Sequence, residues 1–178
     1  GLALVPVAIN VTAAQFLELD LAAVCAELAS ELDFSLEWLR LEVEETVLQA
    51  AMERIATRID ALADLGVLTQ IDHFGIGLLP LIDLPDLKVN RLKILASLLQ
   101  KHPPRQDARP VAALICSVAT ALNIPLVVTC IDNAAMLAYI RRRGFDLVQG
   151  YAVAPTLEAA QVPDWLRQGV GPALPGTA

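Results

Sequence analysis

A parallel α/β barrel of the (β/α)8 type, lacking its first strands, is the fold class the sequence predicts, and three observations carry that reading. Short β-branched runs alternate with apolar residues at helical spacing. Polar residues stand at the carboxyl ends of the expected strands, among them Asn10, Glu42, Asp72, Lys88, Asn90 and Gln149. No glycine-rich turn follows the first strand, and Gly75-Ile76-Gly77 is too short and wrongly placed for a dinucleotide loop. The alternation implies parallel strands with right-handed crossovers, in an open sheet or a barrel. An open sheet concentrates functional residues at one switch point, whereas a barrel collects them from many strand ends. The second pattern is the one present.

The elements follow in order. A strand is expected over 5–11, then a helix on which Leu17, Leu21, Val24 and Leu28 share a face. The unit repeats with a strand over 38–43 and a helix carrying Leu48, Met52, Ile55, Ile59 and Leu62, stopped at Gly66. Further strands are expected over 67–72, 87–90, 124–130 and 146–149, with helices over 110–122 and 132–143. Pro110 near a helix start, and Asn123 and Gly144 just past helix ends, fit the usual punctuation. Six strands are visible, and the two that complete a barrel are expected to precede Gly1.

With 178 residues the chain is read as a single domain over 1–178, of which 156–178 is a carboxyl-terminal tail. Its 56% hydrophobic content is broken too often by charges and glycine to span a bilayer. The first residues carry no basic region and no cleavage site, so the amino terminus reads as a cut edge. A net charge of -7 argues against a DNA or RNA groove. The one basic run, Arg141 to Arg143, is expected in a last helical turn facing water. Cys25, Cys116 and Cys130 are expected as reduced core thiols, with no disulfide and no zinc. Glu44 and Glu45 are expected in a solvated first helical turn. Trp38, Tyr151 and Trp165 are expected to pack, and Met52 and Met136 to fill the core or a helix face.

The strand-end residues also form an ordered series. Ala8-Ile9-Asn10-Val11-Thr12 with Gln15-Phe16 resembles an Asn-Leu-Ser segment trailed by Gln-Leu. Leu41-Glu42-Val43-Glu44-Glu45-Thr46 resembles Leu-Glu-(Ile/Leu)-Thr-Glu-Ser, and Ile71-Asp72-His73-Phe74-Gly75-Ile76-Gly77 resembles Asp-Asp-Phe-Gly-Thr-Gly. Leu87-Lys88-Val89-Asn90-Arg91 resembles Leu-Lys-Ile-Asp-Arg, and Gln149-Gly150-Tyr151 with Pro155 resembles a closing Gln-Gly-Tyr and Pro. Five such segments in this order, from Val7 to Pro155, are similar to those of EAL domains, the bacterial cyclic di-GMP phosphodiesterase fold.

The resemblance implies a chemistry. Cleaving a phosphodiester with water calls for divalent ions held by carboxylate and amide oxygens, and a lysine that offsets charge on the phosphate. It makes Asn10, Glu42 and Asp72 counterparts of metal ligands and Lys88 the counterpart of that lysine. Asp132, Gln149 and Pro155 complete the expected ligand-binding set. Three positions depart from the pattern. His73 stands for the second Asp, Asn90 for the Asp after the lysine, and Thr129 for the glutamate of Glu-Gly-Val-Glu-Thr, with Cys130 the alternative under a one-residue shift. The segment from Phe74 to Lys88 is also several residues shorter than the pattern.

On these departures the expectation is a domain that is not an enzyme. It has no catalytic residue and only vestigial metal positions at Asn10, Glu42 and Asp72, and it serves as a cyclic di-GMP receptor in bacterial signalling. It requires no cofactor, and residual Mg is not expected. The alternatives are a nucleotide-independent interaction module and an active phosphodiesterase. The resemblance further implies a neighbouring GGDEF or sensory domain, a homodimer or partner protein, and a cytoplasmic domain of a larger inner-membrane-anchored protein.

Overall fold

The computed structural model describes residues 2, 4–76, 83–100 and 108–168. Six parallel strands form one sheet in sequence order: β1 (Val7–Asn10), β2 (Leu39–Glu44), β3 (Leu68–Asp72), β4 (Val89–Leu95), β5 (Leu126–Thr129) and β6 (Leu147–Val148). The helices are α1 (Ala13–Glu18), α2 (Leu21–Leu32), α3 (Glu45–Ala50), α4 (Met52–Asp64), α5 (Ala96–Leu99), α6 (Ala108–Ala121), α7 (Ala134–Arg141) and α8 (Val162–Arg167). The sheet curls as part of a (β/α)8 barrel, as the sequence predicts.

One face of the sheet packs on helices. Leu41, Val43, Ile71, Leu92, Ile94 and Val128 are buried on it, against Ile55, Ile59 and Leu62 of α4, Ile115 and Ala119 of α6, and Leu137 and Ile140 of α7. Ile55, Ile59 and Leu62 recur at helical spacing, so a single stripe of α4 meets the sheet. Because side chains alternate across a strand, the residues between these apolar positions turn to the other face, the interior of the barrel. Chemistry therefore falls to Glu42, Gln70, Asp72 and Lys93.

The helix starts follow local rules. Thr12 and Gln15 form a capping box at α1, and Asp20 and Asn133 accept the backbone N–H groups of Ala23 and Met136 at α2 and α7. Arg58 of α4 donates to the carbonyls of Leu17 (2.8 Å) and Leu19, which satisfies the open end of α1. Two expected helices divide. The run after β1 splits into α1 and α2, and the run after β2 breaks at Ala51, whose φ of -157° and ψ of 50° are not helical.

The largest difference concerns β4. The sequence reading ends this strand at Asn90, whereas it runs to Leu95. Arg91 and Lys93 alternate with the buried Leu92 and Ile94, and Ile71 pairs with Leu92 in register. Arg142 and Arg143 lie past α7 and are exposed, as expected of the basic run, and the Arg143 guanidinium stands 4.9 Å from the Tyr139 ring centre. No helix among the described residues is long and apolar enough to cross a membrane. Of the tail, 169–178 lies outside the described residues.

Candidate functional site

The site is assembled at the carboxyl ends of the strands. Glu42 near the end of β2 is buried, and both of its carboxylate oxygens are engaged. Oε1 accepts from Gln70 Nε2 on β3 at 3.0 Å, and Oε2 pairs with Lys93 Nζ on β4. Asp72 at the end of β3 brings Oδ1 to 3.7 Å from the same ammonium. Lys93, 4% exposed, therefore sits between two carboxylates, with its apolar stem carried by the barrel. Two carboxylates against one ammonium leave one negative charge in excess. A buried arrangement of this kind persists only because every partner is present.

The cleft above this triad has a volume of about 440 Å³ and is lined by Asp72, His73, Lys93, Thr129, Cys130, Asp132, Gln149, Gly150, Tyr151, Ala154, Pro155 and Thr156. His73 occupies a left-handed backbone position (φ 54°), and its Nδ1 lies 3.8 Å from Asp72 Oδ2. Side chains other than glycine adopt that conformation rarely, and such residues concentrate at functional sites. Thr129 is buried, with its hydroxyl donating to the Ile94 carbonyl at 3.3 Å. Gly150 shapes the far wall. Its φ is 152°, and a Cβ there would lie 2.3 Å from the Ile131 carbonyl oxygen, so the turn closes on Ile131 only as glycine.

The expected site residues are not all brought together. Asp72, Asp132, Gln149 and Pro155 line the cleft, and Glu42 bonds to Lys93 beneath it. Asn10, the register partner of Glu42, is exposed at the end of β1. Lys88 is elsewhere: it precedes β4 and pairs with Asp60 (3.3 Å) and Asp64 (3.5 Å) of α4. Asp60, accepting a hydrogen bond from it, is the main cause that raises its pKa. Asn90 is also away from the mouth, its side chain accepting from the Thr69 N–H (3.0 Å) beside the irregular register at Thr69/Gln70.

The sequence holds two Leu-Lys triplets, Leu87-Lys88-Val89 and Leu92-Lys93-Ile94, and the second places its lysine at the mouth. This removes Asn90 from the departures and puts Leu95 at the position matched to the aspartate of Leu-Lys-Ile-Asp. It also lengthens the segment after Phe74 by the five positions from Lys88 to Lys93, which accounts for its apparent shortness. Gly77 of the Asp-Asp-Phe-Gly-Thr-Gly match, and 77–82, lie outside the described residues.

Three further residues differ from the sequence-based expectation. Glu45 is buried rather than solvated, and its Oε2 accepts the Gly75 N–H at 2.9 Å, tying the turn after β3 to the start of α3. Tyr151 is 69% exposed on the cleft wall rather than packed. Cys130 is exposed in the cleft, at φ 59°, while burial pushes the thiols of Cys25 and Cys116 up. The left-handed conformation of Cys130 suits the glycine of Glu-Gly-Val-Glu-Thr, which favours the register with Thr129 at the first glutamate.

The donors suit a hard divalent cation in kind. Glu42 and Asp72 already direct oxygens toward one cation, the Lys93 ammonium, and Asn10 adjoins Glu42 in register. No group of three or more His, Cys, Asp or Glu among the described residues is arranged to hold a metal by itself. Waters and phosphate oxygens would complete the shell, as is usual for Mg.

The sequence model of the EAL domain matches residues 2–156. The cyclic di-GMP phosphodiesterase NbdA of Pseudomonas aeruginosa is 31% identical over 130 residues, 73% of this chain and 17% of that protein. The cyclic di-GMP phosphodiesterase PdeR of Escherichia coli is 22% identical over 91% of this chain and 24% of its own length. Among solved structures, the PaMucR phosphodiesterase in complex with c-di-GMP superposes with a TM-score of 0.80 at 24% identity, covering 88% of this chain and 64% of that one. The EAL domain of Mycobacterium smegmatis DcpA gives 0.81 at 24% identity, with 94% and 75% covered. The chain thus spans about a fifth of the length of the curated relatives it matches. These phosphodiesterase relatives overturn the expectation of a domain that is not an enzyme. With the family model matched over most of its length, the chain belongs to the EAL domain family.

Proposed function

We propose that this domain binds cyclic di-GMP at the mouth of its barrel and hydrolyses one of the phosphodiester bonds with the help of Mg or Mn. The observation that supports this most is the buried Lys93 ammonium between Glu42 and Asp72, opening into the cleft lined by Asp132, Gln149 and Pro155.

The charge count supplies the logic. A phosphodiester is an anion, and the triad alone carries an excess negative charge that repels it. Further positive charge favours binding, and Glu42, Asp72 and Asn10 are the residues to hold it. Divalent metal, when bound, lowers the pKa of water and polarises the phosphoryl oxygens. The protein groups do the rest. Lys93 cancels charge as it builds on the non-bridging oxygens, acting where water is excluded and the interaction is strong. Asp132 and Gln149 supply a carboxylate and an amide at the rim, and Tyr151 offers an exposed ring face for a base.

The test is incubation of cyclic di-GMP with a polypeptide that contains this domain, with Mg, with Mn and with chelator. Metal-dependent appearance of the linear dinucleotide is expected. Calorimetric binding without any turnover in either metal would replace hydrolysis by a receptor role. Neither binding nor turnover would remove cyclic di-GMP from the account.

A further inference from the structure

We infer that Gln70 is a positioning residue, which fixes the plane of the Glu42 carboxylate so that Oε2 faces the mouth. The inference rests on reading the mouth as a metal-assisted phosphodiester site, and it names a residue outside every segment that carries the family resemblance.

Gln70 lies on the inner face of β3 in register with Glu42, and it is 4% exposed. The terminal torsion of a glutamate is broad and roughly two-fold, so a carboxylate held at one oxygen still rotates. Here it is held at both: Gln70 Nε2 donates to Oε1 at 3.0 Å from one neighbouring strand, and Lys93 engages Oε2 from the strand beyond. An ionised carboxylate only accepts hydrogen bonds, which sets the Gln70 amide with its nitrogen inward.

The two donors are not equivalent. A cation arriving at Oε2 competes with the Lys93 ammonium for the same oxygen, whereas Gln70 grips the other one and keeps its hold. The amide is also neutral, so it orients Glu42 without cancelling the charge that attracts the cation. Glutamate at 70 would repel Glu42, and an apolar side chain would leave Oε1 buried without this donor.

The experiment compares wild type with Gln70→Met, which preserves length and volume but removes the donor, and with Gln70→His, which restores a donor in another shape. Two readouts on nucleotide-free protein are decisive: the Mn concentration at half-saturation, followed by water-proton relaxation, and the side-chain ammonium resonance of Lys93 in a 1H–15N spectrum, assigned by its loss in Lys93→Met. Gln70→Met is expected to raise the half-saturating Mn concentration about tenfold and to broaden or shift the Lys93 resonance. Gln70→His should recover part of both. In turnover assays the Mn requirement of Gln70→Met should rise. An unchanged Lys93 resonance together with unchanged Mn affinity in Gln70→Met would overturn the inference and leave Gln70 a packing residue. A Lys93 response in Gln70→Met, with wild-type protein that neither binds nor cleaves cyclic di-GMP, would instead sink the functional reading and leave the role of Gln70 standing.

Discussion

Lys88 and Lys93 stand five positions apart in similar Leu-Lys surroundings, and they belong to opposite worlds. The first precedes β4 and is over half exposed between Asp60 and Asp64, where water screens what the ion pairs contribute. The second lies within β4 and is buried against Glu42 and Asp72. Their composition is alike, so the difference comes from strand length and parity. Extending β4 to Leu95 carries the chain to the mouth of the barrel, and each second residue along it turns inward. A charge gains chemical meaning from the dielectric and the partners its strand position gives it.

The comparison can be broken first by stability. Lys93→Met leaves Glu42 buried without its cationic partner and should lower unfolding stability by about 3 to 5 kcal/mol, read from urea denaturation. Lys88→Met should leave the denaturation midpoint unchanged. Equal effects from the two would mean that Lys93 is not held as described. A smaller loss is expected from Glu45→Ala, about 1.5 to 3 kcal/mol, because the Gly75 N–H loses a charged acceptor. If Glu45 were solvated, as the sequence reading has it, the substitution would be silent.

Gly150→Ala should cost about 1 to 3 kcal/mol for the backbone conformation alone, and more if Ile131 must shift. The measurement is again a denaturation midpoint, and an unperturbed value would show that the wall of the cleft is more open than the contact at Ile131 indicates. The smallest effect is chemical. Cys130 is exposed in the cleft while Cys25 is buried and Cys116 half-buried, so a charged alkylating reagent should label Cys130 at least about tenfold faster. Cyclic di-GMP should slow that labelling and leave Cys116 unaffected.

Most of the fold was legible in the sequence because each strand–helix unit repeats the same punctuation. Ile55, Ile59 and Leu62 announce α4, and the β-branched runs announce five of the six strands close to their true bounds. The sixth, β4, is longer than the expected strand over 87–90, which stops before Arg91 and Lys93. On an inner barrel face charged residues can alternate with core positions, and Leu92 and Ile94 at every second place were the available signal. The site was legible at Glu42 and Asp72, where the family segments are specific. Glu45 and Gln70 were not. Their partners, Gly75 and Glu42, come from other strand ends, and no local pattern distinguishes a buried carboxylate in a first helical turn from a solvated one. Cys130 was misplaced because β5 ends at Thr129, one residue earlier than its hydropathy suggests.

The central claim is that Lys93, and not Lys88, faces the phosphate. It is tested most directly by kcat/KM for cyclic di-GMP at saturating Mn in wild type, Lys93→Met and Lys88→Met, with each protein shown to be folded at the assay temperature. Loss of a preorganised donor to the developing phosphate charge should lower kcat/KM of Lys93→Met by about a hundredfold to a thousandfold, with Lys88→Met within about twofold of wild type. A Lys88→Met enzyme that loses activity while folded Lys93→Met retains it would contradict the account.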